Sequence, residues 1–128
     1  MEKIQFNLTN TLIDLYLFDG IFKPTGTTKL LVDSVITNCN GFVNKKILDL
    51  GAGCGGVAIS LSKEGLDNNN FYASDLNENT VECVLYNANH NNCKINVKKG
   101  SLFEPWYQEK FDLIIDDISG VSNEIAQI

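Results

Sequence analysis

The chain has 128 residues, 44% of them hydrophobic, and a formal charge of −6. That length allows one domain with a real core, though it is modest for a doubly wound sheet. All 10 basic residues are lysines; without guanidinium forks for phosphate and with a net negative charge, the chain, unaided, is a poor candidate for strong electrostatic binding to nucleic acid. No apolar run approaches membrane-spanning length and no cationic segment precedes an apolar h-region, so a cytoplasmic protein with no membrane attachment is expected.

Residues 1–19 are loosely amphipathic, with Leu12, Leu15, Leu17 and Phe18 among polar neighbours, and Asp19-Gly20 reads as a turn between two short strands. Pro24 and Gly26 make the next segment a loop. A helix is predicted from about Thr27 to Asn38, capped by a threonine, with Leu30, Leu31, Val35 and Ile36 on one face. The first parallel strand is Lys46 to Leu50. Its helix turns Val57, Ala58 and Leu61 inward and ends at Gly65. A second strand, Phe71 to Ser74, leads to Asp75. Asn77 caps a helix whose stripe is Val81, Val84, Leu85 and Ala88. Ile95 and Val97 mark a third strand closing at Gly100. Residues 111–116 form a fourth, apolar enough to be covered on both faces. Such alternation predicts an α/β fold built on a parallel sheet.

Cys39, Cys54, Cys83 and Cys93 show no CxxC spacing, and His90 is the single histidine. Reduced thiols are expected, in the core or on the surface. A zinc site from Cys83, His90 and Cys93 is the alternative; the simpler reading has no metal.

The chemistry concentrates at residues 47–57. A buried strand ends at Asp49-Leu50 and opens into Gly51-Ala52-Gly53-Cys54-Gly55-Gly56 before a helix begins. Glycines allow the sharp bend and let a ligand approach the backbone. Gly51, Gly53 and Gly56 spell GxGxxG, a weak signal alone. Asp75 strengthens it, standing 22 residues beyond Gly53 where a Rossmann-type site holds the two ribose hydroxyls. Asp49 then discriminates between nucleosides. A dinucleotide would bring its pyrophosphate beside this carboxylate with no cation in the turn to compensate. S-adenosylmethionine brings a sulfonium and an ammonium, which the carboxylate attracts. The literal GxGxxG keeps a nicotinamide-dependent oxidoreductase as the less favoured alternative, and an ordinary strand–turn–helix as the bland one.

With these residues in view, the chain resembles class I S-adenosylmethionine-dependent methyltransferases, in particular the small methyltransferase domain branch that includes protein-glutamine N5-methyltransferases. The resemblance runs from about Ile21 to Phe111. IFKPTGTTKLLVDSVI is similar to the branch's lead-in and ILDLGAGCGGVAI to its first motif. The stretch from Asp75 through YNANHNN, followed by GSLFEP, resembles its middle section. It implies a Rossmann-like parallel sheet in the strand order 3-2-1-4, the amino-terminal half of the family's sheet, with helices on both faces. It also implies a single partial domain: residues 1–44 as a lead-in with hairpin and helix, and residues 45–128 as the cofactor-binding core. Carried over, Gly51, Ala52, Gly53, Cys54 and Gly55 would lie against the methionine part of S-adenosyl-L-methionine, with Asp49 near its ammonium. Asp75 would hold the ribose, Leu76 would pack near the adenine, and Ser101 and Leu102 would border it. A serine where many relatives carry an acid implies weaker binding.

Two departures stand out. Amide- and adenine-methylating relatives read Asn-Pro-Pro-Tyr after the fourth strand, whereas this chain reads Asp117-Ile118-Ser119-Gly120. An ionised Asp117 only accepts hydrogen bonds, so Asp116 or Asp117 would orient an amine or serve as general base toward a hydroxyl. The alternative is that both acids merely end a strand. The family also continues with further strands, so the fourth strand here would be an exposed edge. The expectation is a truncated domain, or one completed by a second chain or by self-association. Function is expected to be methyl transfer to a nitrogen or oxygen nucleophile on a protein, an RNA or a small molecule. The alternative is a non-catalytic remnant that binds cofactor or a partner.

Overall fold

Every second residue of Lys46–Leu50 points to the same face, and both faces must be covered because Ile47, Leu48, Asp49 and Leu50 are all buried. In the computed structural model, which describes residues 1–117, the elements run β1 (Glu2–Asn7), β2 (Leu12–Leu17), α1 (Gly26–Asn38), β3 (Lys46–Leu50), α2 (Gly56–Leu61), β4 (Asn70–Asp75), α3 (Glu78–His90), β5 (Ile95–Lys99) and β6 (Leu113–Ile115). β4 and β6 flank β3, and β5 lies outside β4. All three pairings are parallel, in the order β5-β4-β3-β6. Counted among parallel strands, this is the predicted 3-2-1-4.

Ile47, Phe71, Ala73, Ile95 and Ile115 join Val32 and Val35 of α1, all of α2's apolar residues, and Cys83, Val84 and Ala88 of α3 in the main core. Each such aliphatic side chain contributes roughly 1.5–3 kcal/mol when fully buried. Leu48 and Leu50 point the other way, into a smaller cluster with Trp106, Tyr72 and Phe111. The three rings meet edge-on at centroid distances of 5.3–5.9 Å, the geometry their quadrupoles favour. Among the described residues, helical segments therefore lie on both faces, unequally: three α-helices on one, a single 3-10 turn (Glu104–Trp106) on the other.

Several expectations need correction. The amino-terminal hairpin pairs β1 with β2 antiparallel, so Asn7 faces Leu12 and the turn is residues 8–11. Asp19-Gly20 follows β2 and leads into loop, with Gly20 at φ +80°. On α1 the buried face is Thr28, Val32 and Val35, while Leu30 is 71% exposed; Leu31 and Ile36 flank the core. On α3 the stripe centres on Cys83, Val84 and Asn87, and Leu85 turns outward. The fourth parallel strand is only Leu113–Ile115, and Ile114 is 46% exposed rather than covered.

Candidate functional site

A strand delivering its chain into a helix within five residues needs backbone angles that side chains resist. Gly51, Gly53 and Gly55 adopt φ of +70°, +58° and +86°, a region that costs other L-residues roughly 1–2 kcal/mol. The bend hangs from β4: the Ser74 carbonyl accepts from the N–H groups of Gly51 at 2.9 Å and Ala52 at 3.0 Å. Asn87 holds it from α3, donating its side-chain amide to the Cys54 carbonyl at 2.8 Å. A Cβ on Gly55 would stand 3.2 Å from Val84 Cγ1 and 3.3 Å from Ile59 Cδ1, so Gly55 serves packing. Gly53 has nothing within 4 Å of its would-be Cβ, and Gly51 only Asp116 Oδ1 at 3.7 Å; their backbone borders open space.

That space is a cavity of about 330 Å³ outside the carboxyl ends of the strands, where open parallel sheets take ligands. Asp49, Gly51, Ala52, Gly53, Cys54, Asp75, Asp116 and Asp117 all line it. Gly55, Leu76, Ser101 and Leu102 do not. Leu76 and Leu102 stand exposed just past β4 and β5, and Leu102 has φ +46°. The Gly100 N–H donates to the Asp75 carbonyl at 2.9 Å, which draws the segment after β5 toward the rim.

Asp49 is the unusual member. It is 2% exposed, and its Oδ2 is buried with no hydrogen-bond partner among the described residues. Burial pushes its carboxyl up to about 8; the Ala58 backbone N–H opposes the rise, and the charges of Asp117, Asp116 and Asp75 add to it. Asp75 is pinned against the bend, its Oδ2 accepting from the Gly53 N–H at 3.4 Å and its Oδ1 from the Asn77 N–H at 3.2 Å. Asp117 Oδ2 accepts from the Thr28 hydroxyl at 2.7 Å. Cys54 is buried and its thiol is pushed up to about 12, chiefly by that burial, so it is no nucleophile.

The lining also contains Phe22, Lys23, Thr28 and Thr80, none of which carries a motif signal on its own in the sequence, together with Pro24 and Gly56. Phe22 to Thr28 belong to the lead-in IFKPTGTTKLL. Its cap explains the placement: Thr25 and Thr28 exchange side-chain-to-backbone bonds at 3.1 and 3.4 Å, which fixes the start of α1 at the cavity wall. Residues 118–120, whose departure from the family pattern bears on the acceptor, lie outside the described residues.

Four carboxylates and, among the described residues, one cation (Lys23) line the cavity. An orphaned carboxylate oxygen in such a place fits a cationic group and opposes a pyrophosphate. Cys83, His90 and Cys93 do not gather for zinc. Cys83 Sγ donates to the Tyr16 carbonyl at 3.2 Å and His90 stacks edge-on against the Tyr16 ring. No group of three or more His, Cys, Asp or Glu among the described residues is placed to hold a metal. No helix among them is long and apolar enough to cross a membrane.

Comparison with known proteins agrees with this geometry. The chain is 31% identical over 106 residues to the release factor glutamine methyltransferase of Streptococcus pneumoniae, covering 83% of this chain and 37% of that protein. It is 30% identical over 115 residues to that of Flavobacterium psychrophilum, covering 87% and 40%. It thus spans well under half the length of these relatives. Among solved structures, the T. thermophilus 16S rRNA N2 G1207 methyltransferase in complex with AdoMet and guanosine superposes with TM-score 0.81 at 18% identity, over 91% of this chain and 32% of that one, a likeness of fold. The Pyrococcus abyssi tRNA (uracil-54, C5)-methyltransferase in complex with S-adenosyl-L-homocysteine gives 0.66 at 27% identity, over 91% and 28%. The family model for the methyltransferase small domain matches residues 23–117, from the loop that walls the cavity to the acid that Thr28 holds. On that match, over sheet, glycine bend and acids alike, the chain belongs to the methyltransferase small domain family.

Proposed function

We propose that this chain binds S-adenosyl-L-methionine in the cavity above β3 and β4 and serves methyl transfer to a nitrogen or oxygen nucleophile on a protein or an RNA. The observation that carries the reading is Asp49 Oδ2, buried and unpartnered beside three further carboxylates. The complex of the Pyrococcus enzyme with S-adenosyl-L-homocysteine points the same way for cofactor, and the glutamine named for the Streptococcus relative does so for a nitrogen acceptor on a protein.

The cofactor, when bound, supplies the activated methyl group on a positively charged sulfur. Everything else is placement. In this reading Asp49 and the bare backbone of Gly51 and Gly53 receive the amino-acid portion, and Lys23 complements its carboxylate. Asp75, already braced by Gly53 and Asn77, accepts from the ribose hydroxyls. Leu76, Ser101 and Leu102 offer a rim for the adenine. Asp117, steadied by Thr28, and Asp116 orient the nucleophile or take its proton.

Calorimetric titration with S-adenosyl-L-methionine and S-adenosyl-L-homocysteine tests the first half of the reading; no heat at high protein concentration would overturn it. Transfer of a tritiated methyl group to release factor or ribosomal RNA tests the second. Cofactor binding without transfer is the second reading, favoured by Asp117-Ile118-Ser119-Gly120 standing where the amide-methylating branch reads Asn-Pro-Pro-Tyr. That outcome would leave a cofactor-holding module to be tried with a second polypeptide, or with a second copy at the β6 edge.

A further inference from the structure

We propose that the cavity exchanges a proton for a cation: Asp49 holds a proton in the ligand-free chain and gives it up when a positively charged group enters. This deepens the functional reading above and rests on it. Three geometric facts carry it. Asp49 is buried at the floor of the cavity with Oδ2 unpartnered, and on an ionised carboxylate that oxygen would lack both water and a donor. The charged groups facing it across the cavity are Asp75 from the end of β4 and Asp116 and Asp117 from the end of β6, all of Asp49's own sign. Lys23, from the loop before α1, is the one cation on the lining among the described residues. Cys54, in the bend, adds no charge because its thiol stays protonated; the Ala58 N–H favours the carboxylate but is outweighed.

A cation reverses the balance, since it supplies the counter-charge that the site lacks. The step balances simply: the Asp49 O–H bond breaks, the proton leaves to buffer, and the carboxylate pairs with the entering ammonium. Asp49 thereby makes affinity for a cationic ligand depend on pH, whereas a neutral ligand, which displaces no proton, gains no such dependence from it.

The test is calorimetric titration of the whole chain with S-adenosyl-L-homocysteine at about pH 6.5, in buffers of different ionisation enthalpy. About one proton should be released per ligand bound, and affinity should rise about tenfold per pH unit below the Asp49 midpoint. Asp49→Asn should release none. Because that variant could lose binding altogether, infrared difference spectra of the wild type give a second readout: the carbonyl band of a protonated carboxyl should vanish on ligand addition. Binding without proton release, or an unchanged band, overturns the exchange and leaves the functional reading standing. Absence of binding by the wild type overturns both.

Discussion

The hydroxyl of Thr28 donates to Asp117 at 2.7 Å across 89 positions of sequence, joining the first turn of α1 to the end of β6. Thr28 is buried, and its Oγ1 also accepts from the Thr25 N–H. Thr28→Val should therefore cost roughly 1–3 kcal/mol by removing a hydrogen bond to a carboxylate and one from the helix cap, read in urea titrations. Thr28→Ser should restore most of it. Equal stability of the valine and serine variants would show that the hydroxyl contributes nothing.

Asn87 makes a comparable clasp from α3. Its amide accepts from the Tyr16 N–H at 2.7 Å and donates to the Tyr16 carbonyl at 2.8 Å, in effect adding one residue's pairing to the free edge of β2. Asn87→Leu should destabilise the chain by about 2–4 kcal/mol, since it orphans the Tyr16 N–H and the Cys54 carbonyl, while the Tyr16 carbonyl keeps Cys83 Sγ. Thermal unfolding measures this, and a loss below 1 kcal/mol (about a tenth of ordinary domain stability) would contradict it.

Asp75→Ala should abolish measurable binding of S-adenosyl-L-homocysteine while circular dichroism stays that of the wild type. Its side chain braces the bend through one long bond only, so the fold does not depend on it. Unchanged affinity would remove Asp75 from the site.

Stability should fall with rising pH in the weakly acid to neutral range. The folded-state value of Asp49 is raised from 3.8 to about 8, so between those values the native chain binds more protons than the unfolded one. The unfolding free energy then decreases as pH rises through that window and levels off above it. Asp49→Asn should flatten this slope, with a higher melting temperature than wild type at about pH 8.5 and little difference near pH 4. Parallel profiles for the two proteins would rule out a buried, protonated Asp49.

Gly55→Ala should be more disruptive than Gly53→Ala. Both positions have left-handed φ, but only at Gly55 does the added Cβ meet Val84 and Ile59. The first should cost about 1–2 kcal/mol more in chemical denaturation. The second should act chiefly on ligand affinity.

The parallel sheet was legible from the alternation of strand and helix patterns, and its order from the family resemblance that Gly51–Gly56, Asp75 and the flanking segments carry. The hairpin was harder to place. Its turn, residues 8–11, has no glycine or proline and closes instead through Leu8 N–H to the Thr11 carbonyl and through the buried Glu64 carboxylate, which accepts from the Asn10 N–H. The side-chain clasps made by Thr28 and Asn87 were illegible for the same reason. A threonine in a cap and an asparagine in an apolar stripe declare no partner 71 or 89 residues away. Leu30 and Leu85 went to the wrong side because hydrophobicity alone sets helix phase only to within one residue, and a satisfied polar side chain can claim the buried position.

One feature of the bend makes the chain its own gauge. Cys54 sits at the centre of the ligand-facing loop, buried, with its thiol held un-ionised far above neutrality. An alkylating reagent meets a reactive sulfur there only when the loop opens. The labelling rate of that one peptide by mass spectrometry therefore counts loop openings in the native chain with no introduced probe, and a ligand that closes the loop would be seen as protection in time rather than as heat.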